Sequence, residues 1–137
     1  MNQDLISYKS TFHPKTTISI IFEENPNYQT LVPLFNEYGF GFYSPEFKTI
    51  LIDGQIFLGD SGLTMDDLKF IEAHEISHLL LNHSGPRSEE DEIDADLGAY
   101  ILLTKKGLST DRLVDKFEER HGIPFDEKLL ERVKDIL

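Results

Sequence analysis

Residues 64–81 read TMDDLKFIEAHEISHLLL, and the reading of that run decides how the rest of the chain is arranged. From Asp66 to Leu81 it holds no Gly or Pro, and Thr64 stands where an N-cap would. Asp67, three positions on, can answer Thr64 in a loose capping box. The spacing predicts a helix, apolar nearly all round: Leu68, Phe70, Ile71, Ala73, Ile76 and Leu79 to Leu81. A helix of that kind is buried, so His74, Glu75 and His78 within it need a chemical reason. Residues four apart differ by about 40° in azimuth, which sets His74 and His78 on one face, one turn apart. Two imidazoles so placed can share one Zn²⁺, which takes His nitrogens in a tetrahedral set. Glu75 lies about 100° round from His74, placed to reach a water at the metal without being a ligand.

A catalytic zinc site needs a third protein ligand and an open position. Residues 88–96, SEEDEIDAD, open a second helical pattern that runs on through Leu97, Tyr100 and Leu103. Asn82 to Arg87 between the two is a stretch that reverses direction. A tight helical hairpin would return the second helix's first turns beside the end of the first. Glu92 is the candidate third ligand, and Asp96, one turn on, can accept from a ligand histidine's other nitrogen. Glu89 shares a face with Glu92 and is its rival. Acidic residues in a first turn also complement the helix dipole without any metal. His83 falls about 180° from His74 on a continuing helix, with no Gly before it to turn the chain early, and reads as an ordinary loop residue.

His74-Glu75-x-x-His78 followed by Glu92-x-x-Ala95-Asp96 resembles the Glu-zincin arrangement, and most closely the ImmA/IrrE family of small metallopeptidases. The resemblance spans roughly residues 39–104, and includes the leucines that close the two-histidine helix. It implies His74, His78 and Glu92 as zinc ligands, Glu75 as catalytic base and Asp96 behind a ligand. It also implies limited cleavage of a regulatory protein. The chain departs from the family before residue 39 and in having no attached DNA-binding domain.

Composition narrows the remaining classes. With 137 residues and 39% hydrophobic content, one domain spanning 1–137 is expected, with residues 1–15 a loosely held arm. Zero cysteines leave His and carboxylates as the metal donors. A net charge of −12, from 25 acids against 13 Lys and Arg, argues against nucleic acid and anionic membrane as partners. No apolar run is long enough to span a bilayer, and the N-terminus lacks a signal-peptide pattern, so a cytoplasmic location is expected.

Upstream, Thr16–Phe22 reads as a strand and Asn25-Pro26 as a helix start, with Pro33 complicating that helix and Gly39 stopping it. Phe40–Tyr43 and Thr49–Ile52 read as strands, and Asp53-Gly54 as a hairpin turn into a further strand at Gln55–Leu58. An edge strand within 49–58 would pair with an extended peptide substrate. Downstream, a helix follows Ser109 or Thr110 and ends at Gly122, with His121 as its dipole partner, and a last helix carries Leu129, Leu130, Val133, Ile136 and Leu137.

The expected fold is α+β: a small mixed or antiparallel sheet packed on a helical layer, as in a minimal zincin-like metallopeptidase domain. The expected function is zinc-dependent hydrolysis of a protein or peptide substrate. Tyr100, Tyr43 and His83 are candidates for stabilising the oxyanion. The alternative is a non-catalytic metal-binding module, regulatory or for assembly, on the same scaffold. The glutamate at 75 speaks against it, since a structural site has no use for it.

Overall fold

The computed structural model describes residues 4–38, 40–57, 65–83 and 88–137. They form a mixed α and β structure that divides into two compact units, Met1–Thr64 and Met65–Leu137.

The first unit is built on a four-stranded mixed sheet. Its strands are β1 (Leu5–Lys9), β2 (Thr17–Ile21), β3 (Gly41–Ser44) and β4 (Thr49–Asp53), in the order β1-β2-β4-β3. β2 lies antiparallel to β1 and parallel to β4, and β3 closes the other edge antiparallel to β4. β2 is central, so its β-branched run is buried on both faces, with Ile18, Ile20 and Ile21 all withdrawn from solvent. Helix α1 (Tyr28–Tyr38) connects β2 to β3 and buries Tyr28 and Phe35 with Ile21. Asn25 precedes it as a turn, its side chain accepting from Asn27 N at 2.8 Å and its carbonyl from Tyr28 N at 3.0 Å. The helix runs through Pro33, which forgoes one backbone bond inside it. Gly39, expected as its stop, lies outside the described residues.

Three expectations change here. Residues 5–9 are not a loose arm but β1, paired in full register from Leu5↔Ile21 to Lys9↔Thr17, with Ser7 and Ser19 sharing a hydroxyl hydrogen bond of 2.8 Å. No hairpin forms at Asp53-Gly54. A type I′ turn needs positive φ at both residues, and neither has it. Asp53 Oδ1 accepts from Gln55 N (3.0 Å) and from the Tyr28 hydroxyl (2.9 Å), winding Gly54–Phe57 into a 3-10 turn. Gly54 is required there because a Cβ would stand 2.4 Å from the Phe22 ring. β4 is interior, paired on both sides, so it offers no free edge to a peptide.

The second unit is helical. Helices α2 (Met65–Leu80) and α3 (Glu89–Lys105) form an antiparallel hairpin, followed by α4 (Asp111–His121) and a 3-10 helix at Glu127–Arg132. On α2 every residue from Glu72 to His78 is buried, as an all-round apolar helix requires. Thr64, its expected cap, lies outside the described residues. α3 starts on a full capping box: Ser88 Oγ accepts from Asp91 N, and the Asp91 side chain accepts from Ser88 N. Small residues let the two helices approach, with Gly98 of α3 directly against Ser77 of α2. α4 is anchored by buried Leu113 and Phe117 and by Arg112 Nε on Asp67, 2.7 Å away.

The C-terminal segment is not the α-helix its apolar spacing predicts. Asp126 caps a 3-10 turn, and Arg132 reaches α3 at Asp94 (2.7 Å) and Glu90 (2.8 Å). Among the described residues, no helix is long and apolar enough to cross a membrane.

Candidate metal centre

The hairpin brings His74, His78 and Glu92 together as a group that can hold a metal ion. His74 Nε2 and His78 Nε2 lie 3.1 Å apart. Glu92 spans both, with Oε2 at 3.2 Å from His74 Nε2 and Oε1 at 3.0 Å from His78 Nε2. Tetrahedral zinc with ligands at 2.0–2.1 Å has ligand atoms about 3.3 Å from one another, so the donors stand close to the spacing zinc requires. Hydrogen bonds from the two rings to Glu92 account for two edges of the triangle and leave the edge between the ring nitrogens unexplained. Each proton lies along one edge only, and the two ring nitrogens face each other. Glu89, the rival ligand, is exposed at the start of α3 and outside the group.

Each imidazole is held from behind. His74 Nδ1 donates to Asp96 Oδ1 at 2.7 Å, and both residues are buried. That bond sets the ring so that Nε2 faces the other donors. His78 Nδ1 lies 2.9 Å from His83 Nδ1, and His83 Nε2 lies 3.5 Å from Asp91 Oδ1. His83 is therefore not an ordinary loop residue. Asn82 takes φ 62°, its N–H bonds to Leu79 O, and His83 N–H bonds to His78 O, the paired bonds of a Schellman cap. The cap swings His83 back over the last turn of α2. The signal was Asn82, which enters the left-handed region far more readily than most side chains and so replaces the missing Gly.

α4 contributes two further residues. His121 Nε2 donates to Asp96 Oδ2 at 2.6 Å, and Arg120 Nη1 lies 2.9 Å from the same carboxylate. Arg120 Nη2 is 3.7 Å from Glu92 Oε2, and the guanidinium sits 5.5 Å over the Phe70 ring. His121 is thus a partner of Asp96 rather than only of the helix dipole. Sequence spacing carries no sign of this, because a turn at Gly107 and a separate helix start lie between Asp96 and the end of α4.

The charges follow the contacts. Burial pushes Glu92 upward, yet hydrogen bonds from His74 and His78 and the charges on both rings hold it well below the usual carboxylate range. Burial likewise opposes ionised Asp96, and His74, His121 and Arg120 together reverse that. For His74, burial alone lowers the pKa. Asp96, Glu92 and Glu75 outweigh it and raise it to about 9. Without metal His74 therefore carries a second proton, on Nε2 toward Glu92, in the position a cation would take. Glu75 is buried next to His74 on α2 and outside the donor group. Of the oxyanion candidates, Tyr100 stacks on Phe125 with ring centroids 4.7 Å apart, and Tyr43 belongs to β3 in the other unit.

Comparison with protein-family models, curated proteins and solved structures finds no significant match to this chain.

Proposed function

We propose that this chain is a zinc-dependent peptide hydrolase of the Glu-zincin kind, resembling the ImmA/IrrE metallopeptidases, and that it makes limited cuts in a regulatory protein. The observation that carries this reading is the donor triangle of His74, His78 and Glu92, set at zinc-ligand spacing with Asp96 behind one imidazole. Among the described residues three protein donors come together rather than four, the count of a site that keeps a position open for chemistry.

His74 and His78 offer their Nε2 lone pairs, and Glu92 offers a carboxylate that stays ionised. Zinc held there supplies Lewis acidity, polarising a carbonyl and acidifying water to a pKa of about 7. Glu75 accepts the proton from the attacking water on its carboxylate and returns it to the leaving amine. Asp96 keeps the proton of His74 on Nδ1, so that Nε2 remains a donor of electrons. The net charge of −12 fits a neutral or basic protein partner better than nucleic acid.

Glu75→Gln tests the reading. It keeps the shape and removes the base, so the variant binds about one zinc per chain, folds as the parent does and loses cleavage by about 10²- to 10⁴-fold. Parent and variant are each incubated with lysate of the source cell, and new peptide termini are compared. Equal termini from both proteins refute Glu75 as the base. A zinc-loaded parent that produces none supports the non-catalytic metal module instead.

A further inference from the structure

Asp96 receives more than its place behind His74 requires. It is 1% exposed and takes donors from two other helices: His74 on α2, and Arg120 and His121 on α4. An ionised carboxylate has about four lone-pair sites, so three donors nearly fill it and fix its plane. His121 donates to Oδ2 and His74 Nδ1 to Oδ1, while Arg120 Nη1 lies 2.9 Å from both oxygens and bridges them. Arg120 reaches past Asp96 to within 3.7 Å of Glu92 Oε2. The left-handed Gly122 ends α4 directly after His121, its N–H bonded to Glu118 O, so both side chains leave the last turn.

A simpler account makes the pair an anchor for α4. That helix is already held by buried Leu113 and Phe117 and by Arg112 on Asp67. Desolvating an Arg and a His around one carboxylate is also a costly way to add another anchor. The two groups converge instead on the carboxylate that orients one candidate ligand and beside the carboxylate that is another.

We propose that Arg120 and His121 are positioning residues of the metal centre, holding Asp96 in the plane that directs His74 and restraining Glu92, so that the last turn of α4 belongs to the site. This rests on the reading of His74, His78 and Glu92 as a metal site. When His121 is removed, Oδ2 of Asp96 keeps only Arg120, and the carboxylate can rotate toward that guanidinium, releasing the His74 ring. When Arg120 is removed, Glu92 Oε2 loses the guanidinium 3.7 Å from it.

The test measures zinc affinity by competition with a chromophoric chelator, the visible spectrum of the cobalt(II)-substituted protein, and the thermal midpoint of the zinc-free protein. The variants are His121→Leu, His121→Gln, whose side-chain amide can donate where Nε2 does, and Arg120→Met, which keeps an unbranched stem and removes the donors. His121→Leu and Arg120→Met each weaken zinc binding by about 10-fold and alter the cobalt spectrum. His121→Gln restores most of the affinity and the parental spectrum. Should His121→Leu fail to fold, Arg120→Met and His121→Gln still decide. Parental affinity and spectrum in the folded Leu and Met variants, with only a lower midpoint, make the pair an anchor and overturn the proposal. A parent that binds neither zinc nor cobalt refutes the metal reading itself, and this inference with it.

Discussion

Replacing Gly98 by Ala tests the helix hairpin on which the site stands. A Cβ at position 98 would lie 1.9 Å from Ser77 Oγ, 2.7 Å from Leu137 Cδ1 and 3.0 Å from Ser77 Cβ. Heavy atoms of this kind rest about 3.5–4.0 Å apart, so three contacts are violated at once. Leu137 can swing aside and Ser77 Oγ can take another rotamer, but Ser77 Cβ is fixed to the α2 backbone. The helices must therefore part by a few tenths of an ångström at least. Overpacking of this size costs about 3 kcal/mol, and replacing a mid-helix Gly by Ala returns about 1 kcal/mol. The net is about 2 kcal/mol of lost stability, which lowers the thermal midpoint by roughly 6–10 °C in a chain of this length.

Ser77→Ala supplies the control. Ser77 Oγ is buried without a hydrogen-bond partner among the described residues, so removing it alone is close to neutral or stabilising. In the double variant the worst contact is gone; the contact to Leu137 Cδ1 at 2.7 Å, a side chain that can swing aside, and the Ser77 Cβ contact at 3.0 Å remain, so most of the loss is recovered. Urea unfolding of parent, both singles and the double gives the coupling, expected at about 1 kcal/mol or more. Zinc affinity moves in parallel, because α2 carries the histidines and α3 carries Glu92. If Gly98→Ala is as stable as the parent, or Ser77→Ala does not rescue it, the close approach of α2 and α3 is wrong.

Glu92→Gln weakens zinc binding by well over the 10- to 100-fold typical of an outer contact, while Glu89→Gln leaves it unchanged. Equal losses in chelator competition would move the third ligand to Glu89. Stability of the zinc-free protein declines as pH rises: His74 is raised from 6.5 to about 9, so what its second proton contributes is complete below about 6.5 and is lost as pH passes about 9. Urea midpoints in chelator across that window check this, and a flat or rising profile refutes it. Zinc binding below pH 9 must displace that proton, so calorimetry in two buffers of different ionisation enthalpy reads a proton release of about one per zinc.

The two helices of the hairpin were legible because their signals are local and redundant. α2 has an unbroken apolar run with histidines four apart, and α3 has a block of acids at its start. The sheet was less legible. β1 shows its alternation over only five residues, and its outward row includes Leu5, 46% exposed, so the polar face that marks a half-buried strand is spoiled. What makes it a strand is the ladder to β2, a non-local partner. Asp53-Gly54 failed for a related reason. The dipeptide permits a hairpin, but the Tyr28 hydroxyl, 25 residues away, and the close Phe22 ring decide the turn. At the C-terminus the apolar spacing was real, yet only Val133 is buried and Ile136 is 60% exposed. Side-chain bonds from Arg132 to α3 shape that segment more than periodicity does.

The site divides along the same line. His74 and His78 follow from helix geometry, and Glu92 with Asp96 from a hairpin that returns at the right height. Azimuth is a sound guide only while the helix continues, and at His83 it no longer does. Nine residues from His74 it would point away, but the helix ends at Leu80 and Asn82 adopts φ 62°. A Schellman cap folds the next residue back toward the last turn, which converts an opposite-facing histidine into a neighbour of His78. A residue two past a helix stop should be judged from the cap and not from the helical wheel, and Asn before His was enough to raise that possibility. Arg120 and His121 had no such local sign. They reach Asp96 from 24 and 25 residues away, across a turn at Gly107 and a new helix start, and only the packing of α4 on the hairpin brings them there. A carboxylate on a buried helix face does imply more donors than one histidine supplies. That accounting says partners must exist, and the fold says which.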